Sequence, residues 1–322
     1  MKLKINSSVG KDGKNNAADV KVVKALLNVY ARNNSKKELA VNGTNDEALE
    51  AAITDFQKVY QKNPTPDGQV TSSASGTFKA LIRHMKSSRT IQTVTAPKKG
   101  AITWGAEGTE GGRYHSRVLH VPSDVSGLTL GRGYDMKYRS AADIRKDLIA
   151  AGVDAKKSEI VSKAATLHGA KARQFIIDND QLDFEISAGS QLKLFETVFK
   201  DYEKEAKRLA TKNDVEKAYG KVDWEKLDQS IKEVLVDLTF RGDYTGSTRK
   251  IIQKSVADND FDTFKKKITE QKNWAGWPKD RYERRKEFLE KAAKAKKKAA
   301  SESKDTSESS TTKVVQPTGT PE

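Results

Sequence analysis

The 322-residue chain contains no cysteine. Disulfides and thiolate chemistry are thereby excluded, and a metal site would fall to histidines and carboxylates. Such a chain folds alike in reducing and oxidising compartments. Long apolar runs are also missing, and none approaches the ~18 residues of a membrane span. The opening Met1-Lys-Leu-Lys-Ile-Asn-Ser-Ser-Val-Gly10 lacks the apolar core of a secretory signal. The expectation is synthesis in the cytoplasm and exit by another route, with no membrane partner.

Charge is abundant, at 32% of residues with a net +15. Residues 1–97 hold fifteen Lys/Arg against eight Asp/Glu, a net of +7, so this part is the more basic per residue. Such a charge fits an anionic partner, whether nucleic acid, anionic lipid or cell-wall polymer, and equally a solvated basic surface. A nucleic-acid reading would rest on charge alone, because no binding motif accompanies it. Thr245-Gly-Ser247 lacks the rest of a phosphate loop.

Composition divides the chain. Residues 1–86 are periodic and helix-rich, with Val20, Val23, Leu26, Leu27 and Tyr30 at helical spacing after Ala18 or Asp19 as a start signal. Leu49, Ala52, Ile53, Phe56 and Tyr60 give a second helix, and Thr77, Phe78, Leu81 and Ile82 a third. Residues 87–100 are Ser/Thr-rich, end in Pro and Gly, and read as a linker. Residues 101–290 form a second unit. Arg117–Val121, a turn at 122–127 and Leu128–Leu130 read as a β-hairpin, and everything after Ser140 is helical in pattern. Helices are expected over 143–151, 190–209, 224–240, 251–256 and 281–289. Residues 291–300 extend the last helix as a basic face, and 301–322 lack apolar residues apart from Val314 and Val315, so disorder is expected there. The fold class is α+β, mostly helical.

The first unit resembles the three-helix peptidoglycan-binding module of wall hydrolases. The matching text is Asn16-Ala-Ala-Asp-Val20, Val23, Leu26-Leu27, Val41-Asn-Gly43, Ala52-Ile53, Phe56-Gln57, Pro66-Asp-Gly68 and Thr77 to Leu81. The second unit resembles a lysozyme domain of the pesticin and phage type. It carries Glu110-Gly111 and then Ser126-Gly-Leu-Thr-Leu-Gly-Arg-Gly-Tyr-Asp-Met136. That resemblance implies Glu110, Thr129 and Asp135 as the catalytic set, with Gly131, Arg132, Gly133 and Tyr134 at the sugar, and neither metal nor cofactor. It also implies an N-acetylmuramidase with peptidoglycan as partner. The setting is a phage endolysin, or an antibacterial effector with a secretion-apparatus component and an immunity protein as further partners. Two alternatives stand beside it: a lytic transglycosylase, and a non-enzymatic wall-binding protein.

Glycosidic cleavage needs one carboxylic acid at the leaving oxygen and a second carboxylate across the sugar. Glu110, at the end of a short helix, suits the first role if burial keeps its proton on. Glu107-Gly108 repeats the dipeptide three residues earlier and is its rival. For the second carboxylate, six extended residues span ~20 Å, too far for Thr129 and Asp135 to share a water. The chain must bend, and Gly131 or Gly133 is where it does so cheaply. Asp124, in the expected turn, is the alternative to Asp135. His115 and His120 with Asp124 would make a zinc reading, but no tight ligand spacing supports it.

Overall fold

The computed structural model describes residues 3–112 and 114–309, with side chains described to Glu302. The chain is mostly helical, with two small antiparallel sheets. Contacts divide it into two compact units, Met1–Pro97 with Glu107–Val198, and Lys98–Ala106 with Phe199–Glu322. No helix among the described residues is long and apolar enough to cross a membrane.

The first unit opens with β1 (Val9–Gly10), α1 (Ala17–Asn33) and α2 (Glu47–Asp55), whose last turn widens through Tyr60. β2 (Gln69–Val70) pairs with β1, and α3 (Gly76–Ser87) follows. The expected stripe of Val20, Val23, Leu26, Leu27 and Tyr30 is buried against Leu49, Ile53, Phe56, Phe78 and Leu81, as a 3.6-residue period requires. Asn16 stands at the start of α1. Asp19 lies buried in the first turn, where it accepts the amides of Asn6 and Ser7 and the Ser7 hydroxyl.

Three separated pieces of the sequence meet at one side chain. Gln57 donates through Nε2 to Asp67 Oδ1 (2.6 Å), the Gln69 carbonyl (3.1 Å) and Thr77 Oγ1 (3.2 Å), while Oε1 accepts the Gly68 amide (3.0 Å). A buried amide must satisfy both its ends, so Phe56-Gln57, Pro66-Asp-Gly68 and Thr77 are required together.

The unit continues through β3 (Thr129–Leu130), β4 (Tyr134–Asp135), α5 (Ala141–Ala150), α6 (Ala155–Ser162), α7 (Gly169–Asp178) and the start of α8 (Ala188–Ala210). The division between units falls within α8. Arg32 of α1 forks onto Asp183 at 2.7 and 2.9 Å and reaches Asp180 at 2.7 Å. This planar geometry is one that arginine alone supplies.

The second unit holds α4 (Ala101–Ala106), α9 (Asn213–Tyr219), α10 (Gln229–Arg241), α11 (Gly246–Ala257), α12 (Phe261–Thr269) and α13 (Lys279–Ser309). The helix expected from Trp224 begins only at Gln229, because the Asp228 carboxylate caps the amides of Ser230 and Ile231. α13 runs nine residues into the expected disordered tail, and residues 310–322 lie outside the described residues. Trp104 and Trp274 are buried. Arg285 is fully buried, bonded to Asp237 and Asp243 and stacked on Trp277.

Candidate active site

The expected bend exists. Gly131 (φ +62°) and Gly133 (φ +88°) turn the chain so that Thr129 faces Asp135 and Leu130 faces Tyr134 across the β3–β4 pair. Both backbone conformations lie where a β-carbon is strained, which is why the tip carries glycine on either side of Arg132. His120 pairs with Thr129 on the other edge, exchanging amide hydrogen bonds of 3.0 and 2.8 Å. The expected pairing of 117–121 with 128–130 thus shrinks to one bridge, and the regular hairpin lies one turn later. Directly opposed residues share a face, so His120, Thr129 and Asp135 stand together.

Asp135 is firmly held. One carboxylate oxygen accepts the Gly127 amide (3.1 Å), and the other accepts the Lys137 amide (2.8 Å). Thr129 is buried and its hydroxyl donates to the Gly127 carbonyl (3.2 Å). A β-carbon on Gly127 would stand inside van der Waals contact of Asp135 Oδ1 and 2.7 Å from the Lys137 backbone nitrogen. Gly127→Ala is therefore expected to lower stability by about 1–3 kcal/mol, as overpacking does. A urea midpoint equal to wild type would show that the carboxylate is not seated there.

Glu110 sits not on the helix end but four residues beyond α4, in a loop where Gly108, Gly111 and Gly112 all have positive φ. Its carboxylate accepts from Arg117 Nε (2.9 and 3.1 Å), Arg117 Nη2 (2.6 Å) and the Gln92 amide (3.3 Å). Burial pushes its pKa up, but the Arg117 hydrogen bonds, the Gln92 amide and the Arg117 charge more than offset that. The result is a carboxylate held below its usual range, the reverse of the expectation from burial alone.

Arg117 is itself fully buried, with hydrogen bonds to the Thr90 and Ile186 carbonyls and a 2.9 Å ion pair to Glu185. His115 completes the cluster, 2.8 Å from Glu185 through Nε2 and 3.7 Å from Glu110 through Nδ1. Gln92 also accepts the Ala188 amide at the start of α8 (2.7 Å). Thr90 and Gln92 belong to the stretch expected to be a linker; here they pack into the first unit and touch the site.

The hairpin tip joins this cluster through Arg132, whose Nη1 donates to the Gly108 carbonyl (2.7 Å). Burial lowers the Arg132 pKa, and the charges of Glu110 and then Glu107 pull it back. Glu110, Glu107, Gly131 and Arg132 are therefore neighbours. Tyr134 belongs elsewhere. It is wholly buried, its hydroxyl donates to Asp147 (2.8 Å), and burial followed by that bond raises its pKa, so it has no face left for a sugar. Asp124 is exposed and paired with Arg173. No contact among the described residues joins Glu110 to Asp135 or Asp124.

Sequence reasoning missed Arg117, Glu185 and Gln92. Glu185 lies 70 positions from His115 and Gln92 lies 18 from Glu110, spacings that no periodicity marks.

Residues 100–286 match the family model described as Domain of unknown function (DUF8812). The chain belongs to that family. The match begins at the close of the Ser/Thr stretch and ends inside α13, so the DUF8812 span holds every candidate catalytic residue. No curated protein matches the chain.

Proposed function

We propose that the DUF8812 span is a peptidoglycan hydrolase, an N-acetylmuramidase, and that residues 1–86 bind the wall. One observation carries this reading. A glycine-turned hairpin places Thr129 against Asp135, and its tip reaches through Arg132 to the loop that carries Glu110. An acid on one loop and a carboxylate on a rigid hairpin are the two parts that glycosidic hydrolysis requires. Glu110 protonates the leaving oxygen, and Asp135, with Thr129 beside it, orients the attacking water. The Gln57 junction in the first unit supports the wall-binding reading, because it accounts for why the quoted motif residues occur together.

Asp135→Asn is expected to cut lysis of purified sacculi by about a hundredfold or more, as loss of a positioned base does. Asp124→Asn, on an exposed turn, should change it little. The reverse order of effects would transfer the role to Asp124, and equal activity in all three proteins would remove the general base altogether.

A lytic transglycosylase is the second reading, favoured by one specific feature: both Asp135 oxygens already accept backbone amides. That reaction needs no water-activating carboxylate. Its products end in anhydro sugars, whereas hydrolysis leaves reducing ends, so mass spectrometry of the released fragments separates the two. Release of neither product would remove the enzymatic reading.

A further inference from the structure

We propose that a half-open cavity in the first unit binds the alanine-bearing, carboxylate-carrying stem peptides of the cell wall; this rests on residues 1–86 being the wall-binding part.

The cavity measures about 220 Å³ and is lined by α1, α2 and the loop between them. Most of the lining is small and aliphatic: Leu27 and Ala31 of α1, Leu39 of the loop, and Ala51 and Ala52 of α2. The loop side is firmly built. The buried Asn28 side chain accepts the Leu39 amide (2.7 Å) and donates to the Leu39 carbonyl (2.8 Å). The Lys36 amide returns to the Ala31 carbonyl (2.8 Å), which closes α1 and sets Lys36 and Lys37 beside the cavity.

The polar groups of the lining are unevenly satisfied. Tyr30 is 4% exposed, and its hydroxyl closes no hydrogen bond of normal geometry among the described residues. Burial, followed by the charge and the loose hydrogen-bonding pull of the Asp55 carboxylate, pushes its pKa up to about 12. A buried donor left without a partner is rare and destabilising, so an incoming carbonyl is a favourable acceptor. Asp55 is itself paired with Lys36 at 3.0 Å. Lys37 is exposed and has no ion pair among the described residues.

These features select a peptide over a sugar. Pockets that enclose drug-sized ligands run to roughly 300–1,000 Å³, so this cavity takes a small residue or two and not a disaccharide. A pyranose stacks on an open aromatic face, but the Tyr30 ring is covered, edge-on to Phe56 at 5.1 Å. Alanine methyls suit the aliphatic lining, a peptide carbonyl accepts from Tyr30, and a free carboxylate pairs with Lys37. Stem peptides supply all three.

NMR titration of the ¹⁵N-labelled full chain with the pentapeptide L-Ala-D-Glu-L-Lys-D-Ala-D-Ala tests this. Amide shifts are expected around Ala31, Lys37 and Ala52, and a GlcNAc tetrasaccharide should leave those amides unmoved. Tyr30→Phe keeps the ring and removes only the hydroxyl. It is expected to weaken peptide binding about fivefold, while the urea midpoint stays equal or rises because the unpaired group is gone. A purely structural hydroxyl would give the reverse. Lys37→Glu, on the exposed loop, is expected to weaken binding about threefold or more. Ala52→Phe fills the cavity and should abolish binding; if it does not fold, the first two variants still decide. No shift at the cavity with the peptide, the same shifts with the tetrasaccharide, or wild-type affinity in Tyr30→Phe and Lys37→Glu overturns the proposal. Pelleting of the full chain with intact sacculi tells the two failures apart. Pelleting without peptide binding leaves the wall-binding reading standing and overturns the role of the cavity. No pelleting removes the reading on which that role rests.

Discussion

Glu110→Gln is expected to lower lysis of purified sacculi by about a hundredfold or more, the usual cost of losing a positioned acid. Glutamine keeps the shape and an accepting oxygen but has no proton to give. The fold should survive, because Arg117 retains Glu185 and the carbonyls of Thr90 and Ile186. A preserved near-UV circular dichroism spectrum alongside lost lysis would confirm that chemistry and not folding was removed. Near-wild-type lysis would sink the assignment, and Glu107→Gln would be the next variant.

The depressed pKa of Glu110 adds a pH signature. An acid must be protonated to act, and its pKa in the free protein sets the basic limb of kcat/KM. Because the Arg117 hydrogen bonds and the Gln92 amide hold that pKa below the usual carboxylate range, activity should rise as pH falls from neutral. Lysis that is flat from acidic to neutral pH would mean that Arg117 releases the carboxylate when substrate binds.

In the second unit, Arg285→Met is expected to cost about 3–5 kcal/mol, the penalty for stranding a buried charge. Arg285 is 0% exposed, with Nε 2.7 Å from Asp237 and Nη2 3.0 Å from Asp243, and its guanidinium lies 4.2 Å from the Trp277 ring. Without it, Asp237 keeps, among the described residues, the Thr103 hydroxyl at 3.0 Å and a long 3.5 Å contact to Arg281. Such a cost is a large part of the roughly 5–15 kcal/mol that stabilises a whole domain. Arg285→Lys should recover little, since an ammonium has neither the planar spread of donors that reaches Asp237 and Asp243 nor the flat face that stacks on Trp277. Removing both charges in Arg285→Met/Asp237→Leu should be milder than Arg285→Met, because no unpaired charge stays buried. Urea unfolding of the three variants measures this, and a single-variant midpoint matching wild type would contradict it.

The helices of α1 to α3 and α5 onward were legible because a buried face imposes a 3.6-residue period on the sequence. Local capping then decided their ends, as Asp228 does for α10, and pattern alone misses that. The hairpin was expected one turn too early, but its bend was legible. Two glycines around Arg132 mark where backbone with positive φ is tolerated, and chain length requires a bend there if Thr129 and Asp135 are to meet.

What the sequence determined by itself was therefore local: helical periods, a glycine-permitted turn, and a set of polar residues whose types suit glycosidic chemistry. Only the tertiary structure decided their electrical state. Arg117 reads in sequence as one basic residue in a strand-like run, yet folding buries it between Glu110, Glu185 and two carbonyls. Residues 87–100 read as a linker, yet Thr90 and Gln92 help hold that arrangement. Tyr134 reads as part of a sugar-facing string, yet it packs inward onto Asp147. The physical reason is common to all three. A short-range pattern records which way a side chain points along its own element, whereas burial and charge depend on partners brought in from distant positions. The ionisation of Glu110 is set by those partners.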